Sequence, residues 1–177
     1  MNKIIIVRHG ESEANSKGQD QGREDEWSNT DLSENGREQA RKVAERLKDE
    51  KFDCIYCSDL KRAMQTAEEI NKFHNIEIKF DERLRDIIEK EDVGEFVNRI
   101  KKVFLDIERE KGNVLIVAHA SSCLTLLALS TGSKEEGDKF IEENRGKHGN
   151  TSVSLVEKIG DKYDIRFAGC VKHLDNR

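Results

Sequence analysis

The sequence predicts an α/β fold: one domain over residues 1–177, with a largely parallel sheet flanked by helices on both faces. Three observations carry this expectation. Short apolar runs of the kind that form buried strands recur at Ile4-Ile5-Ile6-Val7 and Val114-Leu115-Ile116-Val117. Between them lie stretches with apolar residues every three or four positions, the period of an amphipathic helix. The two kinds of segment alternate for most of the chain, as they do when helices cross over both faces of a parallel sheet. A length of 177 residues suffices to bury a real core in one domain.

Taken in order, the first strand covers 4–7 and is followed by a polar, Gly-containing stretch, Glu11–Trp27, that reads as a long loop or short irregular helix. Ser33-Glu34-Asn35-Gly36 opens a helix to about Asp49, with Ala40, Val43, Ala44 and Leu47 on one face. Phe52–Cys57 is a second strand. Ser58 or Asp59 is the expected N-cap of a helix reaching Phe73, and Ile76–Phe80 alternates as a strand. Residues 93–110 give the clearest helical stripe: Val93, Phe96, Val97, Ile100, Val103, Phe104 and Ile107. Asn113–Ala118 is another buried strand, followed by a Leu- and Ala-rich helix from about Ser121. Thr151–Lys158 and Tyr163–Ala168 are late strands, joined as a hairpin across Gly160-Asp161. Residues 16–30, 81–95 and 133–150 read as loops.

Composition excludes some functions. Charged residues make up 38% of the chain and the net charge is −5, which gives no reason to expect nucleic-acid binding. No apolar run approaches a membrane span, and the chain enters a strand at once with no signal peptide, so a cytoplasmic location is expected. Cys54 and Cys57 form a C-x-x-C inside a strand, where positions three apart face opposite sides of the sheet. No second such pair completes a zinc site, so all four cysteines are expected to be reduced structural thiols.

Chemistry is expected at the ends of the strands, where parallel α/β sheets bind ligands. Arg8 and His9 follow the first strand, with Gly10 next, a residue that lets backbone come close to a ligand. Arg62 lies in the first turn of the helix after the second strand. His119 ends the strand Val114–Ala118. Two arginines and two histidines around one point make a pocket for a tetrahedral dianion, because the guanidinium fork matches phosphate oxygens. A neutral histidine can act there as a covalent nucleophile.

Residues 5–15, Ile-Ile-Val-Arg-His-Gly-Glu-Ser-Glu-Ala-Asn, resemble the first motif of the histidine phosphatase superfamily, which includes the cofactor-dependent phosphoglycerate mutases. Residues 31–40 resemble that family's L-T-x-x-G-x-x-Q-A helix start, 56–67 its S-x-L-x-R-A-x-Q-T-A stretch, and 114–120 the strand carrying its second catalytic histidine. The resemblance implies that His9 is phosphorylated during turnover. It also implies that Arg8, Arg62 and His119 bind the phosphoryl group, and that Asn15, Gly10 and Ala120 border substrate or phosphate. No metal or organic cofactor is implied. The implied partner is a small phosphorylated metabolite, with a phosphoprotein as the alternative; nothing indicates the oligomeric state.

The chain departs from that pattern in three places. Leu84-Arg85-Asp86 stands where the family has L-x-E, which makes Asp86 the expected general acid, with Glu82, Glu89 and Glu91 as rivals. The Gly-rich piece and helical insertion that roof many members' sites are missing, leaving a reduced lid. Ala120 replaces a common glycine. An open site admits water to a phosphohistidine, so a phosphomonoester phosphatase is favoured over a mutase; a phosphohistidine-protein phosphatase remains the other alternative, and a non-enzymatic domain of the same fold ranks last. His148 is read as a flexible-loop histidine or a residue bordering the pocket, and His74 and His173 as surface groups. Trp27 is read as a substrate wall or an apolar plug.

Overall fold

The computed structural model describes residues 3–18 and 29–175. Trp27 and most of the 16–30 loop lie outside them. The chain runs β1 (Lys3–Arg8), α1 (Glu13–Ser16), α2 (Glu34–Leu47), β2 (Cys54–Cys57), α3 (Lys61–Asn71), β3 (Ile78–Phe80), a 3-10 turn (Glu82–Leu84) and α4 (Val93–Glu108). It continues with β4 (Val114–Ala118), α5 (Ala120–Leu129), α6 (Lys134–Asn144), β5 (Val153–Ile159), β6 (Lys162–Cys170) and a 3-10 turn at Lys172–Leu174.

Six strands form one sheet in the order β3-β2-β4-β1-β5-β6. The first four are mutually parallel, β5 runs antiparallel to β1, and β6 returns antiparallel to β5. The alternation of strand side chains explains why the apolar runs are continuous. Ile4, Ile6, Val114 and Ile116 enter a core built with α4 and α5, while Ile5, Val7, Leu115 and Val117 enter a second core built with α2 and α3. Cys54 and Cys57 fall into opposite cores, as their spacing requires, and all four cysteines are free thiols.

Some sequence expectations need correction. Residues 133–150 are not all loop. Ser133 caps α6 by accepting from the Glu136 amide at 3.2 Å, a Ser-x-x-Glu start that overlapping charge had hidden. Neither Ser58 nor Asp59 is the N-cap of α3; Leu60 takes that position with no side-chain cap. Val93 belongs to the helical stripe by spacing but is 64% exposed, because it opens α4 beyond the edge of the core. Among the described residues no helix is long and apolar enough to cross a membrane.

Register brings the strand ends together. Arg8 pairs with Ala118 and Cys57 with Val117, so the segments that follow β1, β2 and β4 leave the sheet at one edge. The start of β5 lies at that same edge, since Val153 pairs with Val7.

Candidate active site

His9, Arg62 and His119 converge at this edge, and each is almost fully buried. The His9 Nδ1 lies 2.6 Å from the carbonyl oxygen of Gly10, which can only accept, so Nδ1 carries the ring proton. On the other side Arg62 Nε, which can only donate, meets His9 Nε2 at 3.2 Å. The two contacts fix one tautomer, with the lone pair on Nε2. Burial and the charges of Arg62 and Arg8 together push the His9 pKa well below that of an ordinary histidine, so the ring is neutral.

The ring of His119 stands 4.9 Å from that of His9, centroid to centroid, tilted by 58°. Its Nε2 is 2.9 Å from Ser58 Oγ, while its buried Nδ1 has no hydrogen-bond partner among the described residues. With the serine donating, Nδ1 keeps its proton and becomes a donor to an anion beside His9. Burial and then Arg62 hold the His119 pKa well below the usual range. Burial lowers the pKa of Arg62 to about 10, which leaves it charged at neutral pH. Arg8 donates from Nη1 to the carbonyl of His148 at 2.6 Å, and its buried Nε lacks a partner among the described residues. Buried cations and donors with unused hydrogens, gathered round a lone pair, suit a phosphoryl group.

Asp86 completes the set. Its carboxylate accepts from the Ser121 amide at 3.2 Å and the Ile87 amide at 3.1 Å, and its charge acts on both Arg8 and Arg62. Glu82 and Glu89 are exposed, and Glu91 is tied to Arg99 at 2.5 Å, which lowers its pKa. Ala120 opens α5 directly after His119.

Two of the expected phosphate contacts also have structural duties. Asn15 Oδ1 accepts from the Ser12 amide at 3.2 Å, closing the cap of α1. Gly10 lies close to protein backbone: an added Cβ would stand 2.7 Å from the Gly36 carbonyl.

The remaining motif residues strap this loop down. Gly10 N donates to Thr66 Oγ1 at 3.0 Å, and Glu11 N to Gln39 Oε1 at 2.8 Å. Gln65 clamps Asp31 and the Leu32 amide.

Of the segment 148–152, sequence reading singled out only His148, as a flexible-loop histidine or a residue bordering the pocket. His148 is buried rather than in a flexible loop, and its carbonyl holds Arg8. Thr151 N and Asn150 Nδ2 both donate to the His9 carbonyl, at 3.1 and 3.2 Å. Thr151 adopts φ 52°, a left-handed conformation unusual for a β-branched residue. The Gly149-Asn150 turn was the available signal. His173 is half-buried rather than a surface group, bridging Thr151 Oγ1 at 3.2 Å and Arg46 at 3.0 Å. His74 is likewise half-buried, edge-on to Phe52.

Residues 4–89 match the model of the histidine phosphatase superfamily, branch 1. The chain is 30% identical to phosphoglycerate mutase-like protein 4 of Arabidopsis thaliana, over 98% of its own length and 87% of the relative's. It is 33% identical to phosphoserine phosphatase 1 of Hydrogenobacter thermophilus, over 88% and 70% of the two chains. The chain belongs to the histidine phosphatase superfamily. As a superfamily member it is an enzyme of the phosphatase and mutase group, with phosphatases among its relatives. Solved structures agree on the fold. A mutant phosphoserine phosphatase from Entamoeba histolytica in complex with phosphoserine superposes with a TM-score of 0.80 at 22% identity, covering 98% of this chain and 100% of that one. The mycobacterial glucosyl-3-phosphoglycerate phosphatase gives 0.79 at 20% identity, over 94% and 98%.

Proposed function

We propose that this superfamily member hydrolyses a small phosphomonoester through a phosphohistidine on His9. The observation that carries the proposal is the fixed tautomer of His9: its Nε2 lone pair faces Arg62 beside His119, while Gly10 holds the proton at Nδ1. In the first step Nε2 attacks phosphorus as the bond to the leaving oxygen breaks in line with it. Arg8, Arg62 and His119 hold the equatorial oxygens, supplying the charge stabilisation that phosphoryl transfer requires. Asp86, protonated when the ester binds, gives its proton to the departing alkoxide. In the second step water attacks phosphorus as the N–P bond breaks; the water protons leave on the released phosphate, neutral His9 is restored, and Asp86 regains its proton from solvent.

Hydrolysis rather than mutase chemistry is favoured by the short connection at residues 85–92, which leads from the 3-10 turn straight into α4. A mutase has to keep water from its phosphoenzyme. Phosphoserine, named in the complex of one similar structure, represents the substrate class: a small ester with a poor leaving group that needs an acid.

The test is chemical trapping. Brief incubation with a ³²P-labelled substrate should leave acid-labile, alkali-stable phosphate on the wild type and none on His9→Ala, which should remain folded and inactive. A His9→Ala enzyme with full turnover would refute the covalent mechanism.

A further inference from the structure

Asp86 lies on an irregular connection, yet its backbone is held as firmly as a helix. Arg99, in the second turn of α4, uses all five of its guanidinium hydrogens there. Nη1 donates to the carbonyls of Arg83 at 2.8 Å and Arg85 at 2.7 Å. Nη2 donates to the carbonyl of Asp86 at 2.8 Å and to Glu91 Oε2 at 2.7 Å, and Nε donates to Glu91 Oε1 at 2.5 Å. The guanidinium lies over the ring of Phe96, 4.6 Å from its centroid, and that ring is itself buried. From the opposite side, Ser122 Oγ donates to the Arg85 carbonyl at 2.9 Å and the Ser121 amide to the Asp86 carboxylate.

We infer that Arg99 is a positioning residue for the general acid: it pins the carbonyls of 83, 85 and 86 and closes the loop through Glu91, so that the Asp86 carboxyl faces the phosphoryl pocket. The inference rests on the proposed role of Asp86. It assigns Glu91 the part of a counter-charge. The planar fork matters because it reaches three carbonyls and a carboxylate at once. A lysine in its place has three donors on one nitrogen and cannot span them.

The experiment compares two leaving groups. Arg99→Lys and Arg99→Ala are assayed with 4-nitrophenyl phosphate and with the alkyl ester that the wild type hydrolyses fastest among phosphoserine, 3-phosphoglycerate and glycerol phosphate. Turnover of the alkyl ester should fall roughly 10–100-fold, the scale of an ångström's misplacement of a catalytic group. Its KM and the nitrophenyl turnover should stay within about threefold. In an Asp86→Asn background neither substitution should cost more. Equal losses on both substrates, or an unchanged alkyl rate, would overturn the inference.

If neither Arg99 variant folds, Glu91→Gln must show the same split in milder form, and its absence also overturns it. Asp86→Asn with no split would instead sink the acid assignment. A wild type that hydrolyses none of the alkyl esters would sink the proposed function itself.

Discussion

A single carbonyl sets the proton of His9: Gly10, the next residue, holds it at Nδ1 and leaves the lone pair on Nε2, the atom proposed to attack. That carbonyl is aimed by the amide of the same residue, bonded to the buried hydroxyl of Thr66. Thr66→Val keeps the shape but leaves that amide unsatisfied. It should cost about 1–3 kcal/mol of stability, read by chemical denaturation, and lower turnover with every substrate; wild-type stability would show that the bond is dispensable. Asp86→Asn tests a different function. Alkyl ester hydrolysis should slow by roughly 10²–10⁴-fold, while a nitrophenyl ester, whose leaving group needs little protonation, loses far less. At this scale the meeting of Arg8, His9, Arg62 and His119 was legible because three of them lie at strand ends and Arg62 opens the helix after β2. Arg99 and Thr151 were not, since their partners lie in loops whose meeting no local pattern encodes.

Among the elements, α2 is fastened to the active-site loop at its first turn. Ser33 Oγ donates to the Glu11 carboxylate at 2.6 Å, its amide to the Glu11 carbonyl at 2.9 Å, and a Cβ on Gly36 would fall 1.9 Å from that carbonyl. Gly36→Ala therefore forces backbone apart. A loss of about 1–3 kcal/mol is expected from such overpacking, with activity falling alongside it, whereas Gly146→Ala tests left-handed strain (φ 77°) where an added Cβ meets nothing within 4 Å. A Gly36→Ala protein as stable and active as wild type would refute the strap. Periodicity revealed α2 to α5 and the hairpin because each buries one clear stripe or run. It failed for α6, whose only fully buried described residue is Gly137, so no apolar stripe marks it.

At the scale of the molecule, all five histidines have pKa values lowered by burial: His9, His74, His119, His148 and His173, the last to about 4. The unfolded chain binds these protons near pH 6.5 and the folded one resists them. Stability from this source is thus complete above about pH 6.5 and declines as pH falls, by up to about 1.4 kcal/mol per unit for each fully buried histidine. Melting temperature should drop from pH 7.5 to 5.5, and a flat profile would contradict the neutral, buried state of these rings. The proposed preference for hydrolysis over isomerisation is tested by assay. With 3-phosphoglycerate and 2,3-bisphosphoglycerate, slow or absent isomer formation is expected; rapid interconversion would overturn the argument from the short 85–92 connection.

The sheet order has a temporal side. β1 lies between β4 and β5, the neighbours made 110 and 150 residues later. A ribosome therefore delivers His9, the proposed nucleophile, well before the elements that surround it. Arg62 emerges with β2 and α3, His119 only with β4, and the segment that grips Arg8 and His9 later still. Until those later elements dock, the full set of cations and imidazoles is not gathered around His9. β1 gains its second neighbour only when the C-terminal hairpin docks against it. Such long-range pairing also makes slow folding the expectation for a chain of this size.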